Sequence, residues 1–386
     1  MAPPVRAQPS GRRGRAEEMK KNWMRALLVC AVFLLGIELF FRITEVFIPP
    51  KPVDYGLGFN DDSRVFVRHP SKQHYWVTNP NKTMTFRNQE FSEAKSPNHC
   101  RIVALGGSSV YRLDERLPSL ERDLQERFKH KYDKIEIINA GARSYGSGRL
   151  MIVLREMLQF DPDIVLLYSG HNEFEDMEQL ELSGLKYVPL MRLMSKSAAF
   201  RFCRDRITDG WVSVLEDERN RGILSRSRVW ARRMGTRPLT PEQKDRIMRA
   251  YESNLSIMID LCKESGVTLV MGTVPSNLYM YLSPVQRRTG CSKVHDRQEY
   301  ERVMQMAQEQ LKSAPERQQS SDIENGIIRK LSEEHGIPLA DVEQAVIDRE
   351  PHNIPGEEYF LDHCHLNKEG NSIWVDTYKK ILIDVL

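Results

Sequence analysis

Closely spaced cysteines are missing from this chain. Its six, Cys30, Cys100, Cys203, Cys262, Cys291 and Cys364, are scattered singly over 386 residues. That pattern excludes a Cys-x-x-Cys zinc site and offers no disulfide framework. An excess of charge of either sign is missing too. The 56 basic and 53 acidic residues leave a formal net charge of +3, so no global field directs the chain to nucleic acid. Long apolar runs are scarce: there is one, from Ala26 to Phe41, interrupted only by Glu38.

That run defines the N-terminal organisation. Residues 1–25 carry Arg6, Arg12, Arg13, Arg15, Lys20, Lys21 and Arg25 among Pro, Gly and Ser and read as a disordered basic tail. Residues 26–48 are apolar enough to cross a bilayer core, which needs roughly 20 helical residues. Glu38 and Arg42 lie one helical turn apart and can pair, which lowers the cost of the carboxylate. The following "RITEVFIPPKP" has no small-x-small cleavage site. The expectation is a transmembrane signal anchor, with the basic flank cytoplasmic by the positive-inside rule and everything after Pro49 on the far side.

Residues 49–100, rich in Pro, Asn and aromatics, read as a stalk and leading segment with short strands. The globular part, 101–386, alternates. Short apolar runs at Arg101–Leu105, Lys134–Asn139, Asp163–Tyr168, Val267–Thr273 and Ile337–Asp341 predict strands. Between them, helical periodicity covers Leu117–Phe128, Met151–Phe160, Pro241–Glu264, Asp296–Ala314, Ile323–His335 and Lys368–Leu386. Strands alternating with helices predict a five-stranded parallel sheet covered on both faces. A basic, partly apolar insertion at about 177–240 breaks the rhythm and reads as a helical cap.

Ligands of such a sheet bind beyond the carboxyl ends of its strands, and there the sequence places polar groups a scaffold does not need. The first strand ends in Gly106-Gly107-Ser108-Ser109, where glycines allow a sharp turn and a serine faces the open edge. The second ends in "NAGARSYGS", Asn139 to Ser147, and the third in "SGHNEFED", Ser169 to Asp176. "TVPSN", Thr273 to Asn277, ends the fourth on the same rim, as a pocket wall or a plain loop. Ahead of the last helix, "YFLDHCHLNKEGN" sets Asp362 three residues before His365. A hydroxyl, an imidazole, a carboxylate to orient it and amide donors are what acyl transfer requires. The histidines His171, His352, His363 and His365 with Cys364 could suggest a metal, but neighbours on one extended segment point different ways and do not assemble a ligand set.

Taken together and in order, these four blocks resemble the SGNH hydrolases, the GDSL esterase/lipase superfamily. The likeness covers roughly residues 100–386. It implies a flavodoxin-like three-layer α/β/α domain with no cofactor or metal. By the resemblance, Ser108 is the nucleophile, His365 the base and Asp362 its orienting carboxylate. The N–H of Ser108, the N–H of Ser144 and the side-chain amide of Asn172 form the oxyanion hole. The chain departs from the pattern at Gly107, where Asp of Gly-Asp-Ser is usual, at Glu173, where Asp is usual, and at Ser144, where glycine is usual, with Gly141 and Gly146 as neighbours that could supply the bend. The implied substrate is an O-acyl ester, on a glycan or a lipid, met at the membrane to which the N-terminal helix holds the chain. An O-acetyltransferase using the same three residues, and an inactive carbohydrate-binding or assembly protein, remain as alternatives.

Overall fold

The computed structural model describes residues 11–51, 53–60, 64–182, 185–220, 240–278, 302, 321–350, 355–356 and 358–386. The helix expected at 296–314, apart from Arg302, lies outside them, as do Cys291, His352 and the second half of the 177–240 insertion. The chain divides into two compact units, residues 1–55 with 186–223 and residues 56–185 with 224–386.

In the first unit α1, Gly11–Phe47, is a single 37-residue helix. It starts well inside the segment whose composition reads as a disordered tail, because Arg, Ala, Glu, Met and Lys are all good helix formers. Its stretch Glu18–Phe47 is long and apolar enough to cross a membrane.

The second unit opens with a small antiparallel sheet, β1 (Phe66–Arg68), β2 (Tyr75–Thr78) and β3 (Glu90–Ser92), in the order β1-β2-β3. Phe66 and Phe91 meet Phe160 edge-on at 6.0 and 5.2 Å between ring centres. These ring contacts fasten the small sheet to the main core.

The main sheet comprises β4 (His99–Gly106), β5 (Lys134–Gly141), β6 (Ile164–Tyr168), β7 (Thr268–Gly272) and β8 (Leu339–Ala340). All pairings are parallel and the order is β5-β4-β6-β7-β8. This is the doubly wound, flavodoxin-like order, whose reversal point lies between β4 and β6. Every residue of β4 is buried, as a central parallel strand covered on both faces must be. Alternation sends Val103, Leu105, Val165, Leu167, Leu269 and Met271 to one face and Ile102, Ala104, Ile164, Leu166 and Val270 to the other. Arg101 in this strand is polar and yet fully buried, held by Glu136 at 2.8 Å and by the carbonyls of Phe160 and Ser92.

Around the sheet run α2 (Ser108–Tyr111), α3 (Leu117–Phe128), α4 (Ser147–Met157) and α5 (Glu173–Leu182). The insertion then supplies α6 (Val188–Met194) and α7 (Ala198–Asn220), which belong to the first unit. Within the first unit α7 packs on α1. Phe202 lies 4.9 Å from the Phe41 ring, and Arg201 makes a two-pronged pair with Glu45 at 2.8 and 2.6 Å.

Back in the second unit are α8 (Pro241–Glu264), α9 (Asp322–His335), α10 (Val342–Ile347) and α11 (Lys368–Val385). Local sequence explains their ends. Thr240 and Gln243 form a reciprocal capping box ahead of α8 with Pro241 at its first position. Gly336 closes α9 at φ +64°, and the Asn367 side chain accepts from the Gly370 N–H to start α11. Helix α11 presses Trp374 and Tyr378 onto the sheet, and the Tyr378 hydroxyl donates to the Leu167 carbonyl at 2.9 Å.

Candidate functional site

The reversal point sets the site. β4 stops at Gly106, Gly107 is extended, and Ser108 is the first residue of α2. A first-turn N–H has no acceptor within its own helix, so the Ser108 amide is left for an outside oxygen. β4 and β6 end side by side, with Gly106 opposite Tyr168, and the chain leaving β6 runs through Ser169, Gly170 and His171 to Asn172.

The loop before α11 meets this edge. His365 Nε2 lies 2.7 Å from Ser108 Oγ, and His365 Nδ1 lies 2.9 and 2.8 Å from the two carboxylate oxygens of Asp362. Residues 257 positions apart in sequence therefore form one hydrogen-bonded relay. Asp362 Oδ1 also accepts from the N–H groups of Cys364 and His365 at 3.1 and 2.9 Å. Half-burial would push the carboxyl of Asp362 up, but the hydrogen bonds from His365 and the Cys364 amide outweigh it and hold the group well below the usual carboxylate range. Asp362 is an ionised acceptor that fixes one imidazole tautomer.

The loop is clamped from the end of β7. The Asn277 N–H donates to the His363 carbonyl at 2.9 Å and its side-chain amide to the Asp362 carbonyl at 3.2 Å. "TVPSN" is in this respect a buttress: it holds the segment carrying Asp362 and His365. Its Asn was not singled out by sequence, and the only signal was its place after a strand end. Pro275 O in the same stretch lies 2.9 Å from His171 Nε2, and burial pushes His171 down to about 3, so that imidazole stays neutral.

Of the proposed oxyanion donors, the Asn172 amide sits close to Gly107, as does the Tyr145 carbonyl. The Asn172 amide donates to the Tyr145 carbonyl at 3.1 Å, which uses one of its two N–H bonds. A Cβ on residue 107 would lie 2.4 Å from Asn172 Nδ2. Glycine at 107, where the resembled pattern usually has Asp, therefore permits this approach of Asn172 to the turn that carries Ser108. Ser144, next to Tyr145, adopts φ +57°, the left-handed region that glycine enters freely and serine only when held there. Its carbonyl is fixed by the Arg149 guanidinium, and Arg149 pairs in turn with buried Asp176.

Glu173 and Asp176, on the first turn of α5, cap α4. Ser147 N–H donates to Glu173 at 3.0 Å and Gly146 N–H to Asp176 at 3.1 Å. Burial first, then the nearby Asp176 charge, pushes the Glu173 carboxyl up to about 7 against the hydrogen bonds of Ser147 and Ser169. Behind Gly170, buried Glu324 is pushed up by its burial to about 8, with Glu173 adding to the rise, and its Oε1 has no partner among the described residues. Asn139 and Gly141 serve the scaffold: the Asn139 amide donates to the Val110 carbonyl, and Gly141 passes within 2.2 Å, as measured from an added Cβ, of the Tyr111 nitrogen.

Asp362, Cys364 and His365 bring one potential ligand atom each within 4.8 Å of one another. The His365 nitrogen and the carboxylate in that set already face each other at hydrogen-bond distance, and burial pushes the Cys364 thiol far up, so the thiolate a metal requires is disfavoured. A cavity of about 220 Å³ lined by Gly58, Arg64, Lys82, Ile152, Arg155 and Glu156, among others, contains none of the relay residues.

No family model and no curated protein matches the chain. Solved structures similar to it include a GDSL-like lipase from Bacteroides thetaiotaomicron, 12% identical over 77% of this chain and 93% of that one, with a TM-score of 0.37. An acetyl xylan esterase is 15% identical over 73% of this chain and 99% of that one, TM-score 0.37. Another acetyl xylan esterase, from Geobacillus stearothermophilus, is 12% identical over 75% and 95%, TM-score 0.37.

Proposed function

We propose that this chain is a serine esterase of the SGNH type that cleaves an O-acyl ester and is held at a membrane by α1. The observation that carries the reading is the unbroken relay from Ser108 Oγ to His365 Nε2, 2.7 Å, and from His365 Nδ1 to Asp362, 2.8 Å, at the reversal point of the sheet.

In this reading His365 takes the Ser108 proton as Oγ attacks the ester carbonyl, and Asp362 stabilises the imidazolium that forms. The Ser108 N–H, the Ser144 N–H and the free N–H of the Asn172 amide receive the negative charge of the tetrahedral oxygen. His365 then passes its proton to the departing alcohol, leaving an acyl-serine. Water, deprotonated by the same imidazole, attacks the acyl carbon and restores Ser108. The basic residues ahead of the apolar stretch of α1 favour a cytoplasmic N-terminus, which assigns the esterase unit to the outer side of the membrane. An acetylated glycan and an acyl lipid are the two substrate classes such a position offers.

The test uses the full chain reconstituted in lipid. A fluorophosphonate probe is expected to label the wild type and to leave Ser108→Ala and His365→Ala unlabelled. Released acetate from acetylated oligosaccharides, measured against fatty acid from phospholipid, separates the substrate classes. Folded wild-type protein that neither labels nor releases acid from any ester would overturn the reading.

A further inference from the structure

The described half of the insertion makes an unusual contact with α1. Glu38 lies inside the apolar stretch, four residues before Arg42, or about 6 Å along the axis. It pairs with Arg42 at 2.9 Å, but it also accepts from the Ser197 hydroxyl at 2.7 Å and from the Ala198 N–H at 2.9 Å. The carboxylate thus caps the N-terminus of α7, where orphan amides and the helix dipole favour negative charge. Arg42 in turn donates to the Lys196 carbonyl at 3.1 Å.

These bonds fix depth. From the cap, α7 runs alongside the C-terminal part of α1: Arg201 meets Glu45, and Asp205 and Asp209 meet Lys51. The level of Glu38 is therefore the lower end of α7, and the turn Ser195–Ser197 that leads out of α6 is held between Glu38, through Ser197, and Glu45 and Tyr55, through the Ser195 carbonyl on Arg201 and the Ser195 hydroxyl. Yet α6 turns Leu190, Leu193 and Met194 outward, at 52%, 61% and 41% exposure, with Tyr187 beside them. The spacing 187, 190, 193, 194 is one helix face. Lys186, Arg192 and Lys196, also exposed, flank it, and cationic ends reach from that depth to lipid headgroups.

We infer that α6 is a second membrane contact: a short helix set into the outer boundary of the bilayer, its Leu190–Leu193–Met194 face against acyl chains, pinned to the anchor through Glu38. The inference rests on α1 spanning the membrane. An apolar face held level with a residue inside a membrane span meets the same solvent as that span.

The experiment is nitroxide labelling of the full-length chain in phosphatidylcholine–phosphatidylglycerol vesicles, with Cys30, Cys203 and Cys291 replaced by Ser. Leu190→Cys and Leu193→Cys are compared with Phe33→Cys in the middle of α1 and Arg206→Cys on exposed α7. Collisions with oxygen report lipid, and collisions with a water-soluble nickel chelate report water. At 190 and 193 oxygen is expected to dominate, as at 33, and the ratio to reverse at 206. Nickel access at 190 and 193 with a lipid-like signal at 33 would overturn the inference and leave the anchor standing. Nickel access at 33 would remove the anchor itself and the inference with it. Exclusion of both reagents at 193 would mean protein covers the face, a second copy included, and would also overturn it.

Discussion

Gly107 and Asn172 are in contact as closely as a missing side chain allows: the Cβ that residue 107 lacks would fall 2.4 Å from Asn172 Nδ2. Gly107→Ala is expected to displace the amide and lower kcat by about 10²–10³, the cost of one oxyanion donor. If that is how it acts, Asn172→Ala and the double variant should be equally impaired, since the methyl has no amide left to move. Kinetics of the three variants on a chromogenic ester check this, and additive losses would reject it.

Asp362 accepts from His365 Nδ1 at 2.8 Å and from two backbone N–H groups. Asp362→Asn would keep the shape but no longer hold the imidazole in the tautomer that receives the Ser108 proton. A fall in kcat of about 10⁴ is expected with little change in KM. Steady-state kinetics decide it, and a fall of less than tenfold would sink the relay.

Asn277 is a positioning residue. Asn277→Ala removes the 3.2 Å bond to the Asp362 carbonyl while its backbone bond to His363 can persist. Loss of one such bond is worth about 1 kcal/mol, so kcat should fall severalfold at unchanged KM, and fluorophosphonate labelling should slow rather than vanish. A change confined to melting temperature would make Asn277 merely structural.

The buried carboxyls of Glu173 and Glu324 give the second unit a pH signature. Both have an ordinary value of 4.5, and burial raises them to about 7 and about 8 in the folded protein. Between the unfolded and folded values the folded state binds more protons, so their contribution favours folding at low pH and is lost as pH rises from 4.5 to about 8. Glu324 feels Glu173, Asp322 and Glu343. Glu324→Gln should therefore flatten the fall of melting temperature over this range and raise it at pH above 8. A profile parallel to the wild type would show that Glu324 ionises freely.

Much of this architecture is legible in sequence because it is written locally. Alternating apolar runs mark the strands, and β4 to β8 fall within the predicted segments or extend them by a residue or two. The end of α9 follows from Gly336 and the start of α8 from Thr240 and Pro241. Ser108 and Asn172 stand out as residue types at strand ends, and Asp362 and His365 by their spacing ahead of the last helix, but their mutual distances depend on the crossing of chain segments that no local pattern encodes. Asn277 is hidden for the same reason: it holds the loop through the carbonyls of Asp362 and His363, and main-chain acceptors leave no mark in side-chain identity. Charge and periodicity mark the 177–240 insertion as helical, but the pairing of its helix α7 with α1 rests on Glu38, Glu45 and Lys51, far away in sequence.

The bond from Ser197 to Glu38 spans 159 residues, which bears on the order of events during synthesis. Helix α1 is made well before α7, and until α7 emerges Glu38 has only Arg42 of these partners beside it. The first unit is built from two separated stretches of chain, so it cannot close until more than half of the protein has been made. Clipping the chain after α1, by a protease or by a designer seeking a shorter form, would not leave the first unit whole. It would strip α7 of its cap and leave half of a unit behind.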